Sequence, residues 1–199
     1  MIKLKNLEQS EPYILFNDFY KKAIRANQSS IDAISISSYN KKTKEVDSRY
    51  VNLKFIDVNK WTFFSNYNSN KATQFESHNQ ISALIYWNSI GVQIRIKGNI
   101  TKSDPKVSDE HFAKRDKFKN ALAISSHQSK ETDSYEHVLD EFNNVLNSEI
   151  ILTDRPEYWG GFSFTPYYFE FWQGHESRIN KRNSFKIIKG KWTSFFLEP

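Results

Sequence analysis

Two-residue alternation of apolar and polar side chains returns in block after block of this chain, and helical spacing seldom interrupts it. "SSIDAISISS" leads through the Lys-rich "YNKKTKEVD", read as a hairpin loop, into "SRYVNLKFI"; "KWTFFSNY", "QISALIYW", "GVQIRIKGNITKS", "YYFEFWQG", "ESRINKR", "SFKIIKG" and "KWTSFFLEP" follow as further strands. Helical spacing is confined to "SEPYILFNDFYKKAIRA" with Ser10 as its N-cap, the short "KATQFESH", and two central stretches, "SDEHFAKRDKFKNALAISSHQS" and "SYEHVLDEFNNVLN". Sequential strands without regular strand–helix alternation predict a mainly β, antiparallel sheet or barrel with helices flanking it.

Such a sheet needs a core, and 38% hydrophobic and 16% aromatic residues supply one in which Phe, Tyr and Trp carry much of the burial. Length suits one domain spanning 1–199, with residues 1–15 left open as a flexible arm. No run approaches the roughly 20 apolar residues of a bilayer span, and "MIKLKNLEQSEPY" lacks a signal core. A cytoplasmic protein with no membrane partner is therefore expected. The absence of Cys removes disulfides, a thiolate nucleophile and Cys-ligated zinc, and suits a reducing compartment. His78, His111, His127, His137 and His175 lack zinc spacing, so no metal is expected. No Gly-rich phosphate loop or Ser-nucleophile elbow occurs either, so an enzyme built on this chain would rely on an organic cofactor.

A net charge of +5 fits nucleic acid, an acidic membrane or a phosphorylated small molecule, and does not choose among them. Four stretches concentrate the donors. "SRYVNLK" carries Arg49 and Lys54. In "SNYNSNK", Ser69 and Lys71 stand where a helix begins and free N–H groups favour a phosphate. Gln93, with Gln128 and Ser129, forms a neutral amide set. The last stretch is "FEFWQGHESRINKR"; if extended, it turns Arg178, Asn180 and Arg182 to one face, after Trp172. Singly, each has a bland reading, since Arg and Lys on strands are usually solvated or paired and a Trp is usually core.

In this order, however, the blocks resemble the pyridoxamine 5′-phosphate oxidase family from about Phe16 to Pro199. "RYVNLK" is similar to the family's R-x-V-L-L-K, "FFSNYNSNK" to F-x-T-N-x-x-S-x-K, and "WNSIGVQIRIKG" to W-x-x-L-x-x-Q-V-R-V-x-G. The Q-S pair falls on Gln128 and Ser129, and "WGGF" and "EFWQG" stand as in the family, the latter followed by R-x-x-x-R. The resemblance implies an FMN-binding split β-barrel that forms a homodimer with FMN between the subunits. It implies FMN contacts from Arg49, Tyr50, Val51, Asn52, Leu53, Lys54, Phe64, Ser65, Asn70, Lys71, Gln93, Gln128, Ser129, Trp172 and Arg182. Substrate would meet Lys54, His111, Arg115, Lys119, Arg178 and Asn180, with Arg178 and Asn180 in the catalytic role. The implied reaction converts pyridoxine or pyridoxamine 5′-phosphate to pyridoxal 5′-phosphate, with O2 reduced to hydrogen peroxide.

The cofactor half matches the pattern better than the substrate half. Asn180 and Lys181 replace a family His and Asp, and His111 and Lys119 replace a Tyr and a Ser. Asn52 stands for a Leu, while Asn70, Val92 and Phe196 each stand where an Arg is common. Asn180 can donate and accept but cannot carry a proton or charge at neutral pH. Two substrates therefore remain in view: a phosphorylated B6 vitamer, or an aromatic heterocycle of the reduced phenazine type. Stacking and phosphate contacts on a small basic barrel also serve single-stranded nucleic acid in other proteins, a reading that a yellow, flavin-carrying protein would exclude; with the resemblance, no nucleic-acid partner is expected.

Overall fold

The computed structural model describes residues 1–199 and places one strand at the hub of the sheet. In chain order the elements are β1 (Lys3–Lys5), α1 (Glu11–Arg25), β2 (Ala33–Asn40), β3 (Glu45–Asn52), β4 (Phe55–Asp57) and β5 (Lys60–Asn66). Then come α2 (Asn70–Ser77), β6 (Gln80–Trp87), β7 (Val92–Lys102), α3 (Pro105–Ala113), α4 (Lys117–Ser125) and α5 (Tyr135–Leu146). The chain closes with β8 (Trp159–Gln173), β9 (Lys181–Ile188) and β10 (Lys191–Leu197). The strands form one sheet in the order β1-β4-β5-β8-β7-β6-β2-β3, with β9 and β10 branching from β8. Every pairing is antiparallel except β1 with β4, so the sheet is mixed at that one edge.

The branch explains why the sheet splits. Residues 159–164 of β8 pair with β5, while residues 168–173 pair with β9 on the same side; β7 runs along the other side of both. Pro166 lies where the partner changes, and it has no N–H to leave unpaired. Tyr167 bulges out at the same point, shifting the β7–β8 register next to Gly98. Gly98 is required there, because a Cβ would stand 2.9 Å from the carbonyl oxygen of Thr165.

One large core fills the sheet's inner face. Phe16 of α1 meets Trp61 at 4.6 Å between ring centroids, and Tyr13 meets Phe169 edge-on at 5.3 Å. Trp61, Trp87, Phe63, Phe162, Phe164, Phe169 and Phe171 are all buried. Aromatic pairs of this kind add about 0.5–1.5 kcal/mol each beyond area burial. Residues 1–15 carry β1 and the start of α1 and are packed: Ile2 is buried, and its N–H donates to the Tyr20 hydroxyl at 2.7 Å. No helix is long and apolar enough to cross a membrane.

Several local expectations are corrected. "SRYVNLKFI" is two strands, broken at Leu53 and Lys54, whose N–H groups reach Asp32 and Thr62 respectively. The first central stretch is two helices, because the Asp116 carboxylate accepts from the Phe118 N–H and starts α4 afresh. "FEFWQGHESRINKR" is not extended throughout: β8 ends at Gln173 and β9 begins at Lys181. Between them the Arg178 N–H donates to His175 O at 2.9 Å, Arg178 itself adopting φ +60°. Gly, Ser and Asn in "GHESRIN" are the turn signals that the alternation masked.

Candidate functional site

A cleft of ≈ 790 Å³ opens where β3, β5, α2, α3 and α4 converge. Its lining carries Arg49, Lys54, Lys71, Lys114, Arg115 and Lys119 against a single carboxylate, Asp116. That carboxylate already accepts from the N-terminus of α4. The cleft therefore has a strong excess of positive charge and suits an anion.

Local folding delivers each donor. The break after β3 lets Lys54 leave the strand, with its Nζ 3.4 Å from Asp32 Oδ2. The corner between α3 and α4 carries Arg115, whose guanidinium carbon lies 4.4 Å from the Trp159 ring centroid. One terminal nitrogen of Arg115, Nη1, is buried without a hydrogen-bond partner, and burial pushes the pKa of this group down to about 10. A buried, unpaired guanidinium N–H is costly unless an acceptor meets it. Lys71 stands in the first turn of α2 and donates to Gln128 Oε1 at 3.0 Å, while Ser65 Oγ donates to the same oxygen at 2.9 Å. Burial, then the nearby Arg49, pushes Lys71 down to about 8.

An aromatic wall lies beside these cations. His111 stacks on Phe64 with 3.9 Å between centroids, and Phe64 stacks on Trp159 at 5.3 Å. Burial, followed by the charges of Arg115, Lys54 and Lys3, holds His111 down to about 4. It is thus a neutral ring at physiological pH.

The structure brings Arg49, Tyr50, Val51, Asn52, Lys54, Phe64, Ser65, Lys71, Gln128, His111, Arg115 and Lys119 into this one cleft. Arg49 spends its donors on Ser38 (2.6 Å), Gln74 (2.9 Å) and the Ile36 carbonyl (3.3 Å), anchoring β3 to β2 and α2. Leu53 is buried in the core and Asn70 is exposed on α2; neither lines the cleft, nor does the exposed Ser129 at φ +70°.

The remaining expected residues gather elsewhere. Gln93, Trp172 and Arg182 are direct partners across β7, β8 and β9, so they share one rung and one face. Arg178 and Asn180 lie in the turn beyond that rung, where Asn180 Oδ1 accepts from the His175 N–H at 3.1 Å. None of these five lines the cleft. Trp159 and Lys114, which do, have no assigned role in the sequence reading, although the "WGGF" block containing Trp159 signals the first of them.

The donor chemistry fits a phosphorylated flavin, with a lysine at a helix start for phosphate, hydroxyl and amide groups for a polyol chain and flat rings for a flat ring, and leaves the unpaired guanidinium for a second anion. In comparisons with known proteins, residues 20–146 match the family described as pyridoxamine 5′-phosphate oxidase. Residues 159–199 match the pyridoxine 5′-phosphate oxidase C-terminal dimerisation region. A pyridoxine/pyridoxamine 5′-phosphate oxidase of Leptospira interrogans is 30% identical over 195 residues, covering 96% of this chain and 89% of that protein. One from Cytophaga hutchinsonii is 35% identical over 192 residues, covering 94% and 88%. Among solved structures, PhzG from Burkholderia lata in complex with tetrahydrophenazine-1-carboxylic acid aligns with a TM-score of 0.90 at 24% identity, over 96% of this chain and 93% of its own. A pyridoxamine 5′-phosphate oxidase-related, FMN-binding protein of Nostoc punctiforme aligns at 0.77 and 13% identity, over 96% and 99%.

Proposed function

The chain belongs to the pyridoxamine 5′-phosphate oxidase family, and we propose that it oxidises pyridoxine or pyridoxamine 5′-phosphate to pyridoxal 5′-phosphate. Within that family it is an FMN-dependent oxidoreductase. Bound FMN supplies the two-electron oxidation, with O2 as final acceptor and hydrogen peroxide as product. The observation that carries the substrate is Arg115: a half-buried guanidinium whose buried Nη1 has no partner, in a cleft that also holds Lys54 and Lys119. A phosphate dianion is the ligand whose oxygens best answer that arrangement.

The roles divide along the cleft. Lys71, Ser65 and Gln128 form the seat for the cofactor's phosphate and polyol chain; Lys54, Arg115 and Lys119 form the seat for the substrate phosphate. His111, neutral and stacked on Phe64, presents a flat ring without repelling cations or taking a proton. With Asp116 engaged in capping α4, the lining residues position and neutralise charge, and leave bond-making to the cofactor. A second copy of the chain, joined through the C-terminal dimerisation region, would bring the Gln93–Trp172–Arg182 rung to the flavin and Arg178 to the substrate ring. Lys54 and Asn52 also border the cleft, completing the cofactor contacts.

The wall of His111, Phe64 and Trp159 favours a second reading, in which the ring oxidised is a reduced tricyclic aromatic like the one bound to PhzG. The test is anaerobic. The yellow protein is mixed with pyridoxine or pyridoxamine 5′-phosphate, and the visible flavin band is followed. Bleaching that reverses in air is the expected result. A band that persists with both compounds but bleaches with a reduced phenazine carboxylate would overturn the B6 reading.

A further inference from the structure

Glu170 is a buried carboxylate, only 2% exposed, in the middle of β8. A carboxylate so desolvated is stable only when several donors meet it. Here there are three donor residues. Oε1 accepts from Arg182 Nε at 2.9 Å and lies 2.9 Å from Arg182 Nη2; Oε2 accepts from Arg95 Nη1 at 2.9 Å and from the Tyr168 hydroxyl at 3.0 Å. Register explains the meeting. Arg95, Glu170 and Ser184 form the rung next to Gln93, Trp172 and Arg182, on the same face, so Glu170 reaches its neighbour Arg95 directly and Arg182 on the diagonal. Arg182 is then pinned a second time, its Nη1 donating to the Glu198 carbonyl at 2.7 Å.

We propose that Glu170 is a positioning residue for FMN: it locks the Arg182 guanidinium in one orientation, with unused N–H groups directed away from the carboxylate toward the cofactor. The inference rests on the reading that Arg182 serves FMN. Two guanidinium groups share the one carboxylate, so the cluster keeps a net positive charge to offer an anionic or acceptor-rich ligand. Because Glu170 fills one edge of Arg182, the side chain loses most of its rotamer freedom before any ligand arrives, and less is lost on binding. Arg95 balances the second carboxylate oxygen, its Nη1 lying 2.9 Å from Oε2.

The experiment is FMN release from the loaded full-length protein on dilution, read as recovery of flavin fluorescence. It compares the parent, E170Q, R182A, the E170Q/R182A pair and R95M, with the thermal midpoint of each. E170Q and R182A should each raise the FMN dissociation constant about tenfold or more, because each removes a charge-assisted contact. The double variant should be no weaker than about twofold beyond R182A alone, since both changes remove one interaction. R95M should weaken FMN binding less than E170Q does, because Glu170 keeps its own hold on Arg182 through Oε1 in that variant. If R182A leaves FMN affinity unchanged, the reading of Arg182 itself falls. If R182A weakens binding but E170Q does not, or if their losses multiply, the positioning role of Glu170 is overturned. Should E170Q fail to fold, E170D keeps the charge, shortens the reach and is judged in the same cycle.

Discussion

Lys71 and Gln128, 57 positions apart in the chain, meet across the cleft with the ammonium donating to the carboxamide oxygen at 3.0 Å. The ammonium is not held by any carboxylate there, and its pKa lies near 8 because burial and Arg49 both oppose its charge.

An anion seated at Lys71 is favoured by the charged form, which is fully present well below that pKa. FMN affinity should therefore fall as pH rises through about 8 and beyond. In K71R the guanidinium stays charged, so the decline should vanish over pH 7–9. Fluorescence titration of FMN at a series of pH values measures this; a parent profile as flat as that of K71R would refute it.

Arg115→Met should separate substrate from cofactor. Its Nη1 is unpartnered, and on the proposed division of the cleft it belongs to the substrate phosphate while the Lys71–Gln128 contact belongs to the cofactor. Steady-state kinetics should show KM for pyridoxine 5′-phosphate raised about tenfold or more. FMN retention should stay within about twofold. Equal losses in both would move Arg115 to the cofactor.

His111 makes the fold sensitive to acid. Folded, it resists protonation down to about 4; unfolded, it takes a proton near its ordinary 6.5. Between those values the unfolded chain binds more protons, so stability drops as pH falls from about 6.5 to about 4 and levels off below. His111→Phe keeps the stack on Phe64 and removes the titration. Its Tm should decline less steeply than the parent's across that window, as differential scanning fluorimetry would show.

Gly160 fixes the start of β8 against the helices. A Cβ there would collide with the Tyr67 hydroxyl and stand 3.0 Å from Ser108 Oγ. Gly160→Ala should cost about 1–3 kcal/mol by overpacking, and adding Tyr67→Phe should recover part of it. Urea unfolding of the two variants settles the matter.

The strands were legible because alternation is a backbone property that survives any tertiary context: β2, β6, β7 and β10 fall close to where the pattern puts them. What alternation cannot show is where a strand is interrupted. Leu53 continues the apolar pattern of β3, yet it turns into the core and frees Lys54 for the cleft. "ESRINKR" alternates as well, but its Gly, Ser and Asn neighbours favour the turn that holds Arg178 at φ +60°. Five of the six cleft cations, Arg49, Lys54, Lys71, Arg115 and Lys119, were visible through the family resemblance of their motifs; Lys114 was not. Trp159 went unassigned because an aromatic beside two glycines reads equally as packing, and only the stack of Arg115 and Phe64 on its ring marks it as part of the site.

The length of β8 has a genetic consequence. Its 15 residues span up to about 50 Å when extended, and they carry Trp159 at one end and Trp172 at the other. On the proposed reading, each chain lends one end to its own cleft and the other end to its partner's. Lesions at the two ends then belong to different sites. A pair assembled from a W159A chain and a W172A chain would concentrate both defects in one cleft and leave the other intact. Two alleles that are each inactive alone should therefore complement when co-expressed, while two lesions at the same end should not.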